Sequence, residues 1–188
     1  GARAHALRLR LAGKEPRLVA LSLLDRHDDY AWALRERLWA TAPEEVLASL
    51  GGDDSDRGWA LRERALVEKK PADAIHLSLA RLDGDRAWAW RSSLEASPPA
   101  LLRGIRSCAD PRAWAIRSRW LEAAPRPVLK GMVGLDVPEA WALRWRAGSG
   151  AVEVLDSIAG MACGPARALR AGLAPIFPAR ALLSLPPR

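Results

Sequence analysis

The side chains that most often do chemistry in proteins are few in this sequence and widely spaced. The histidines are His5, His27 and His76, and the cysteines are Cys108 and Cys163. They form neither a CxxC pair nor a Cys and His cluster, so the sequence predicts no zinc site and no disulfide framework. Walker, GxGxxG, HExxH and GxSxG motifs do not occur either. We therefore expect no enzyme activity, no cofactor and no metal.

Two acidic segments could contact a cation. Residues 51–58, GGDDSDRG, begin like a calcium loop, but Arg64 stands where the bidentate glutamate should be. His27, Asp28 and Asp29 are consecutive, and three adjacent residues do not face one point on a helix. Both segments are better explained as helix ends, with glycines as a stop and polar residues as N-caps.

The strongest pattern is a tryptophan column that recurs every 26–29 residues, an interval typical of repeat arrays. An alanine follows each member directly and an arginine follows three residues after it. The tryptophans are Trp32, Trp59, Trp88, Trp114 and Trp141, and the arginines are Arg35, Arg62, Arg91, Arg117 and Arg144. His5 and Arg167 extend the column outward, which predicts seven repeats.

Each repeat is predicted to contain two helices. A proline about eleven residues after the column position suits the first turn of a second helix and not its interior. These prolines are Pro16, Pro43, Pro99, Pro125 and Pro178, with Pro71 one place later. Asp28, Ser55 and Asp110 are candidate N-caps of the first helices.

This pattern predicts an all-α protein, a right-handed α-solenoid of about seven two-helix repeats of ~27 residues. We expect one solenoid over 1–188 that belongs to a longer protein. The predicted repeats are 1–27, 28–54, 55–83, 84–109, 110–136, 137–162 and 163–188.

Acidic residues precede the column arginines by six or seven positions, as Asp29 precedes Arg35 and Asp56 precedes Arg62. This spacing resembles the Asp and Arg ladder of HEAT repeats, especially their short forms, and the resemblance covers the whole chain. It implies that these columns hold neighbouring repeats together and are not catalytic. The tryptophan anchor and the short period depart from the usual HEAT pattern.

The arginine and tryptophan columns each have two interpretations. The arginines either satisfy an Asp or a loop carbonyl of the next repeat, or form a ladder of cations for phosphates, which the net charge of +7 and pI of about 10.4 would favour. The tryptophans are either apolar spacers between helices or stacking platforms for bases. A second basic column, five residues after the anchor, must face elsewhere and is the candidate binding surface: Arg10, Arg37, Arg64, Arg119 and Arg146.

We expect a non-enzymatic scaffold that presents a basic surface to an acidic protein or peptide, with no membrane span and a cytoplasmic location. The alternative is a nucleic-acid-binding array. A third possibility is the regulatory arm of a larger enzyme, or an enzyme similar in outline to bacterial alkylpurine DNA glycosylases. Those place an Asp beside Trp, but Asp29, Asp85 and Asp110 all recur as repeat features here.

Overall fold

The computed structural model describes residues 2–106, 108–148 and 152–187. Within these ranges the regular structure is helical with no strand, which confirms the all-α class. In this part of the chain no helix is long and apolar enough to cross a membrane. Longer and shorter helices alternate, and we call the odd-numbered ones first helices and the even-numbered ones second helices. The helices are α1 (Ala2–Leu11), α2 (Pro16–Leu21), α3 (Asp29–Leu38), α4 (Pro43–Ala48), α5 (Asp56–Val67), α6 (Ala72–Ser78), α7 (Asp85–Ser93), α8 (Pro98–Gly104), α9 (Pro111–Trp120), α10 (Pro125–Lys130), α11 (Pro138–Ala147), α12 (Glu153–Ser157), α13 (Gly164–Leu173) and α14 (Pro178–Leu183).

The helix starts follow the residues that the sequence singled out. The side chains of Asp28, Ser55 and Asp110 cap α3, α5 and α9 by accepting a backbone N–H two or three residues later. Second helices begin at the predicted proline in four cases: Pro16, Pro43, Pro125 and Pro178. By contrast, α8 begins at Pro98, one residue before the predicted proline, and α6 begins after Pro71, which is its N-cap.

A residue in the left-handed region follows most second helices and redirects the chain toward the next first helix. Glycine takes this conformation without steric cost at Gly52, Gly134 and Gly160, where φ is 85°, 78° and 76°. Asp25 and Arg81 hold the same position with φ of 61° and 66°. Side chains at these two positions strain the backbone, but they also form an ion pair, with Arg81 Nη2 at 2.6 Å from Asp25 Oδ1.

The chain divides into two compact units, residues 1–104 and 105–188. In the first unit, successive second helices pack on one another in the order α2, α4, α6 and α8. In the second unit, α10, α12 and α14 do the same. First helices pack mainly on second helices, so the core of each unit lies between the two sets. Its fully buried residues include Leu47 and Leu50 in the first unit and Leu129 and Ile158 in the second.

Candidate functional site

The column arginines are buried within the helical layers. Their exposed fraction is 0% for Arg35, Arg62 and Arg144, 1% for Arg117 and 5% for Arg91. Arg170, three residues after Arg167, is 6% exposed. A buried guanidinium is stable only when its donors find acceptors, so the hydrogen-bond partners define what this column does.

Arg35 shows the arrangement, which we call the guanidinium clasp. Nη2 and Nη1 donate to the carbonyls of Leu23 and Arg26, both at 2.8 Å, just beyond the C-terminus of α2. Nε and Nη2 donate to Oγ and the carbonyl of Ser49, both at 3.1 Å, at the C-terminus of α4. One planar cation thus joins the carbonyl ends of two successive second helices, where the helix dipoles are negative.

The clasp recurs at constant sequence offsets in both compact units. A column arginine donates to the carbonyl twelve residues earlier at 2.6–3.0 Å, and most also reach the carbonyl nine residues earlier. The carbonyls twelve residues earlier belong to Leu23, Leu50, Leu79, Ile105, Met132 and Ile158, in chain order. The column arginines therefore stabilise the interior of both units.

A serine column completes the clasp and was missed by sequence reasoning. Five serines accept from Nε of the arginine at this position, Arg8 included, at 2.8–3.2 Å, and each hydroxyl also donates to a carbonyl three residues earlier: Ser22, Ser49, Ser78, Ser157 and Ser184. The signal was a serine 13–16 residues after the arginine. Gly104 and Gly131 interrupt it at the equivalent positions.

The partners differ from the predicted Asp and Arg ladder. Arg35 binds carbonyls of the preceding loop, not of the next repeat, whereas Asp29 has a side chain 92% exposed and pairs with Arg57 at 2.7 Å. The physical reason is position along α3. Asp29 lies in its first turn at the surface, and Arg35 lies nearly two turns later on the face that packs against the second helices.

Burial also sets the charge state of the clasp. Desolvation lowers the pKa of Arg62 to about 10 and that of Arg144 to about 10, and it lowers the pKa of Arg35 and Arg170 as well. A guanidinium with a pKa near 10 remains charged at neutral pH. The clasp therefore keeps its full set of donors under physiological conditions and does not act as a proton acceptor.

The tryptophan column packs against the clasp. Each column guanidinium lies over the tryptophan ring three residues earlier, with 4.3–4.8 Å between its carbon and the ring centroid. Trp32, Trp59 and Trp88 are 8%, 3% and 4% exposed, so their rings are closed to a base. Trp114 and Trp141, in the second compact unit, are only half-buried.

The second basic column, by contrast, lies at the surface. Arg10, Arg37, Arg64, Arg119 and Arg146 are all exposed. Arg64 donates to Glu68 at 2.7 Å and to Glu36 at 3.1 Å. Its hydrogen bond, together with that of the Trp39 indole, lowers the pKa of Glu68 to about 2. Arg146 donates to Ser118. Part of this column therefore links neighbouring first helices.

Open grooves lie between neighbouring first helices, at the same register in both compact units. The larger one, about 610 Å³, separates α3 from α5 and is lined by Trp32, Glu36, Arg57 and Arg64, among others. Its counterpart between α9 and α11 measures about 250 Å³. These grooves arise because the close helix contacts within each unit run through the second helices.

A third groove, about 240 Å³, lies between second helices of the second compact unit. Arg106, Arg126 and Lys130 contribute three exposed cations to its wall, and Val133, Glu153 and Asp156 complete it. Arg180 lies 3.4 Å from Asp156 and offsets that carboxylate. The three cations in the wall of this groove belong to neither arginine column.

Charge is distributed unequally along the sequence. Residues 105–188 contain 12 basic and 6 acidic side chains, whereas residues 1–104 contain 17 basic and 16 acidic ones. Most of the net charge of +7 therefore belongs to the second compact unit. Neither predicted arginine column signals this difference, because both columns run through the two units alike.

The acidic residues do not gather into a site. Asp110 caps α9 and pairs with Arg112 at 2.8 Å, and Asp85 lies at the exposed start of α7. Asp53 is buried beside His27, with 2.9 Å between Oδ2 and Nδ1. Burial alone would raise the pKa of Asp53, but hydrogen bonds from Ser55 and His27 outweigh it and lower that pKa. Among the residues described, no three His, Cys, Asp or Glu side chains meet as a metal site would require.

The structure and the sequence together define an all-α protein held by a recurrent guanidinium clasp. No family model matches the chain, and comparison with curated proteins and with solved structures finds no match either. Its assignment to a class therefore depends on the residue pattern and on the helices themselves.

Proposed function

We propose that residues 1–188 form a right-handed α-solenoid of about seven two-helix repeats that acts as a non-enzymatic binding or scaffold module. The recurrence of one clasp, with carbonyls twelve residues before the arginine in both compact units, supports this organisation. Because the column arginines are committed to internal contacts in both units, the other surface residues are the ones free to recognise a partner.

The partner we propose is an acidic protein or peptide that binds the second compact unit. The observation that carries this proposal is the excess of 12 basic over 6 acidic side chains in residues 105–188, which is still 9 over 6 without the buried Arg117, Arg144 and Arg170. A surface of one sign attracts and orients a partner of the opposite sign. Arg126 and Lys130, exposed on α10 and facing the groove toward α12, are the cations we assign to the contact.

Nucleic acid is the second candidate, favoured by one arrangement in the same unit. Trp114 and Trp141 are half-buried, and Trp114 shares its groove with the exposed Arg146. An aromatic ring beside a cation suits single strands, whose bases stack on rings while phosphates meet the charge. The column arginines do not contribute to this possibility, because the clasp uses them internally.

The two candidates are separated by titrating the protein with a fluorescein-labelled oligoglutamate peptide and with labelled single- and double-stranded oligonucleotides at two salt concentrations. We expect the peptide to bind and the double variant Arg126→Gln/Lys130→Gln to weaken it about tenfold or more, since two charge-assisted contacts are lost. The matched control is Arg10→Gln/Arg37→Gln, which removes two exposed cations from the first compact unit.

Tighter binding of an oligonucleotide than of the peptide, with a steep salt dependence, would favour the second candidate. In that case Arg146→Gln should reduce binding more than Arg126→Gln. Equal losses for the two double variants would mean that the charge of the second unit is not the recognition feature. Absence of binding to every probe at low salt would overturn both candidates.

A further inference from the structure

The groove between α10 and α12 has cations on one wall and carboxylates on the other. Arg126 and Lys130 lie exposed on α10, whereas the half-buried Glu153 and the exposed Asp156 lie on α12. Asp156 already has a partner, because Arg180 of α14 lies 3.4 Å from it. In the described part of the chain, no ion pair or hydrogen bond joins the side chain of Glu153 to a cation of α10. Charges of both signs therefore line one groove without meeting.

The first compact unit has the same charges at the same positions, and there they do meet. Arg17 and Arg126 each lie five residues before a position of the serine column, and Glu45 and Glu153 each lie four residues before one. Arg17 Nε lies 3.4 Å from Glu45 Oε1, and this ion pair joins α2 to α4. Arg126 and Glu153 both lie within the described ranges and form no equivalent ion pair, so both charges stay available to a partner.

Ion pairs also cross the gaps between first helices of the first unit. Each joins an arginine of one first helix to a carboxylate of the first helix before it, over 2.6–3.1 Å: Arg57–Asp29, Arg64–Glu36 and Arg86–Glu63. The carboxylates at these gaps are therefore neutralised within the chain. The charge of Glu153, by contrast, can be neutralised by a cation that a partner supplies.

From this difference we propose that the acidic partner of the second unit also carries a basic side chain. Its carboxylates pair with Arg126 and Lys130, its basic group pairs with Glu153, and an apolar side chain between them contacts Val133, which is 38% exposed in the same groove. This inference rests on the proposed function and adds the pattern of charges that the partner presents. A purely acidic segment places a carboxylate near Glu153, and the groove selects against it through that repulsion.

The test compares two fluorescein-labelled peptides of equal length, one made of Glu-Glu-Leu-Lys repeats and one in which every Lys is replaced by Gln. The second peptide is the more acidic, so attraction by net charge alone favours it. We expect the opposite order, with the Lys-containing peptide bound at least about threefold more tightly, because it gains an ion pair with Glu153. The repeat presents both signs in every register, so the comparison does not depend on the spacing in the natural partner.

A substitution in the chain locates the effect. Glu153→Gln should weaken binding of the Lys-containing peptide about threefold and should not weaken binding of the Gln-containing one. Glu122→Gln, which removes an exposed carboxylate of the same unit from outside this groove, is the matched control and should not weaken binding of either peptide.

The outcomes separate this inference from the proposed function. If the Gln-containing peptide bound as tightly as the other or more tightly, while Arg126→Gln/Lys130→Gln still weakened it, the inference would be wrong and the proposed function would stand. Equal effects of Glu153→Gln and Glu122→Gln on the Lys-containing peptide would overturn the inference as well. If neither peptide bound, both the inference and the proposed function would be wrong.

Discussion

Residues 1–104 and 105–188 share one internal chemistry and differ in their surfaces. Both use the guanidinium clasp with the same acceptors, as the nearly identical bonds of Arg62 and Arg144 show. The first unit balances its surface charges, many of them in ion pairs between neighbouring helices, whereas the second has twice as many basic as acidic residues. Stability and surface charge are therefore carried by separate residues, and each can vary without the other.

The most direct test of whether both units depend on the clasp is to remove one clasp arginine from each unit. Arg62→Ala and Arg144→Ala should each lower the free energy of unfolding by at least about 3 kcal/mol, because four acceptors lose a donor at each site. Chemical denaturation with amide hydrogen exchange read separately over 1–104 and 105–188 measures the loss and its location.

Arg62→Lys is the control for charge alone. A lysine keeps the cation but cannot offer a planar fork to several carbonyls, so it should recover less than half of the loss. If only one of the two alanine variants lost stability, or if lysine restored it fully, the clasp would not be the stabilising element that both units share.

A smaller effect should appear at a close backbone contact in the first unit. A Cβ built on Gly104 lies 2.6 Å from the carbonyl oxygen of His76, so Gly104→Ala should destabilise the packing of α8 on α6 by about 1–3 kcal/mol. The control is Gly172→Ala in α13, where nothing lies within 4 Å of the added carbon. That change should stabilise the second unit by up to about 1 kcal/mol through helix propensity. If both substitutions were neutral by thermal unfolding, the close approach would not restrict position 104.

The smallest effect concerns pH and should be confined to the first unit, which contains all three histidines. His76 is 0% exposed in a position where most other second helices have leucine. Its Nε2 donates to the Leu94 carbonyl at 3.1 Å, and its Nδ1 is buried without a hydrogen-bond partner. Burial lowers the pKa of His76, so the unfolded state binds a proton first. The contribution of His76 to the free energy of unfolding is fully present above pH ~6.5. It is lost as the pH falls toward the lowered pKa, by up to about 1.4 kcal/mol per pH unit.

His76→Leu should remove this dependence between pH 7 and pH 5 because leucine does not titrate. Hydrogen exchange of residues 1–104 at the two pH values is the measurement, with residues 105–188 as the internal reference. An unchanged pH profile in the variant would place the acid sensitivity elsewhere.

Much of the local structure was predictable because it depends on neighbours in sequence. Pro43, Asp28 and Ser55 begin or cap helices through contacts within one turn, and such contacts leave a readable spacing. Tryptophan and arginine three residues apart likewise lie on one face of a helix, where each ring and guanidinium stack.

The acceptors of the clasp were not predictable in the same way. Backbone carbonyls such as that of Leu23 carry no side-chain signature, so a pattern search favoured the nearby Asp29 instead. The serine column was visible in principle, but its distance from the arginine varies and two glycines interrupt it.

The reach of the clasp has a consequence for how such a chain can change in length. The acceptors of Arg35 extend from the Leu23 carbonyl to Ser49, an interval of 26 residues in the sequence. Successive column tryptophans are separated by about the same interval. Inserting or removing one such interval would keep each remaining arginine twelve residues after the carbonyl that accepts from it, because that acceptor lies within a single interval.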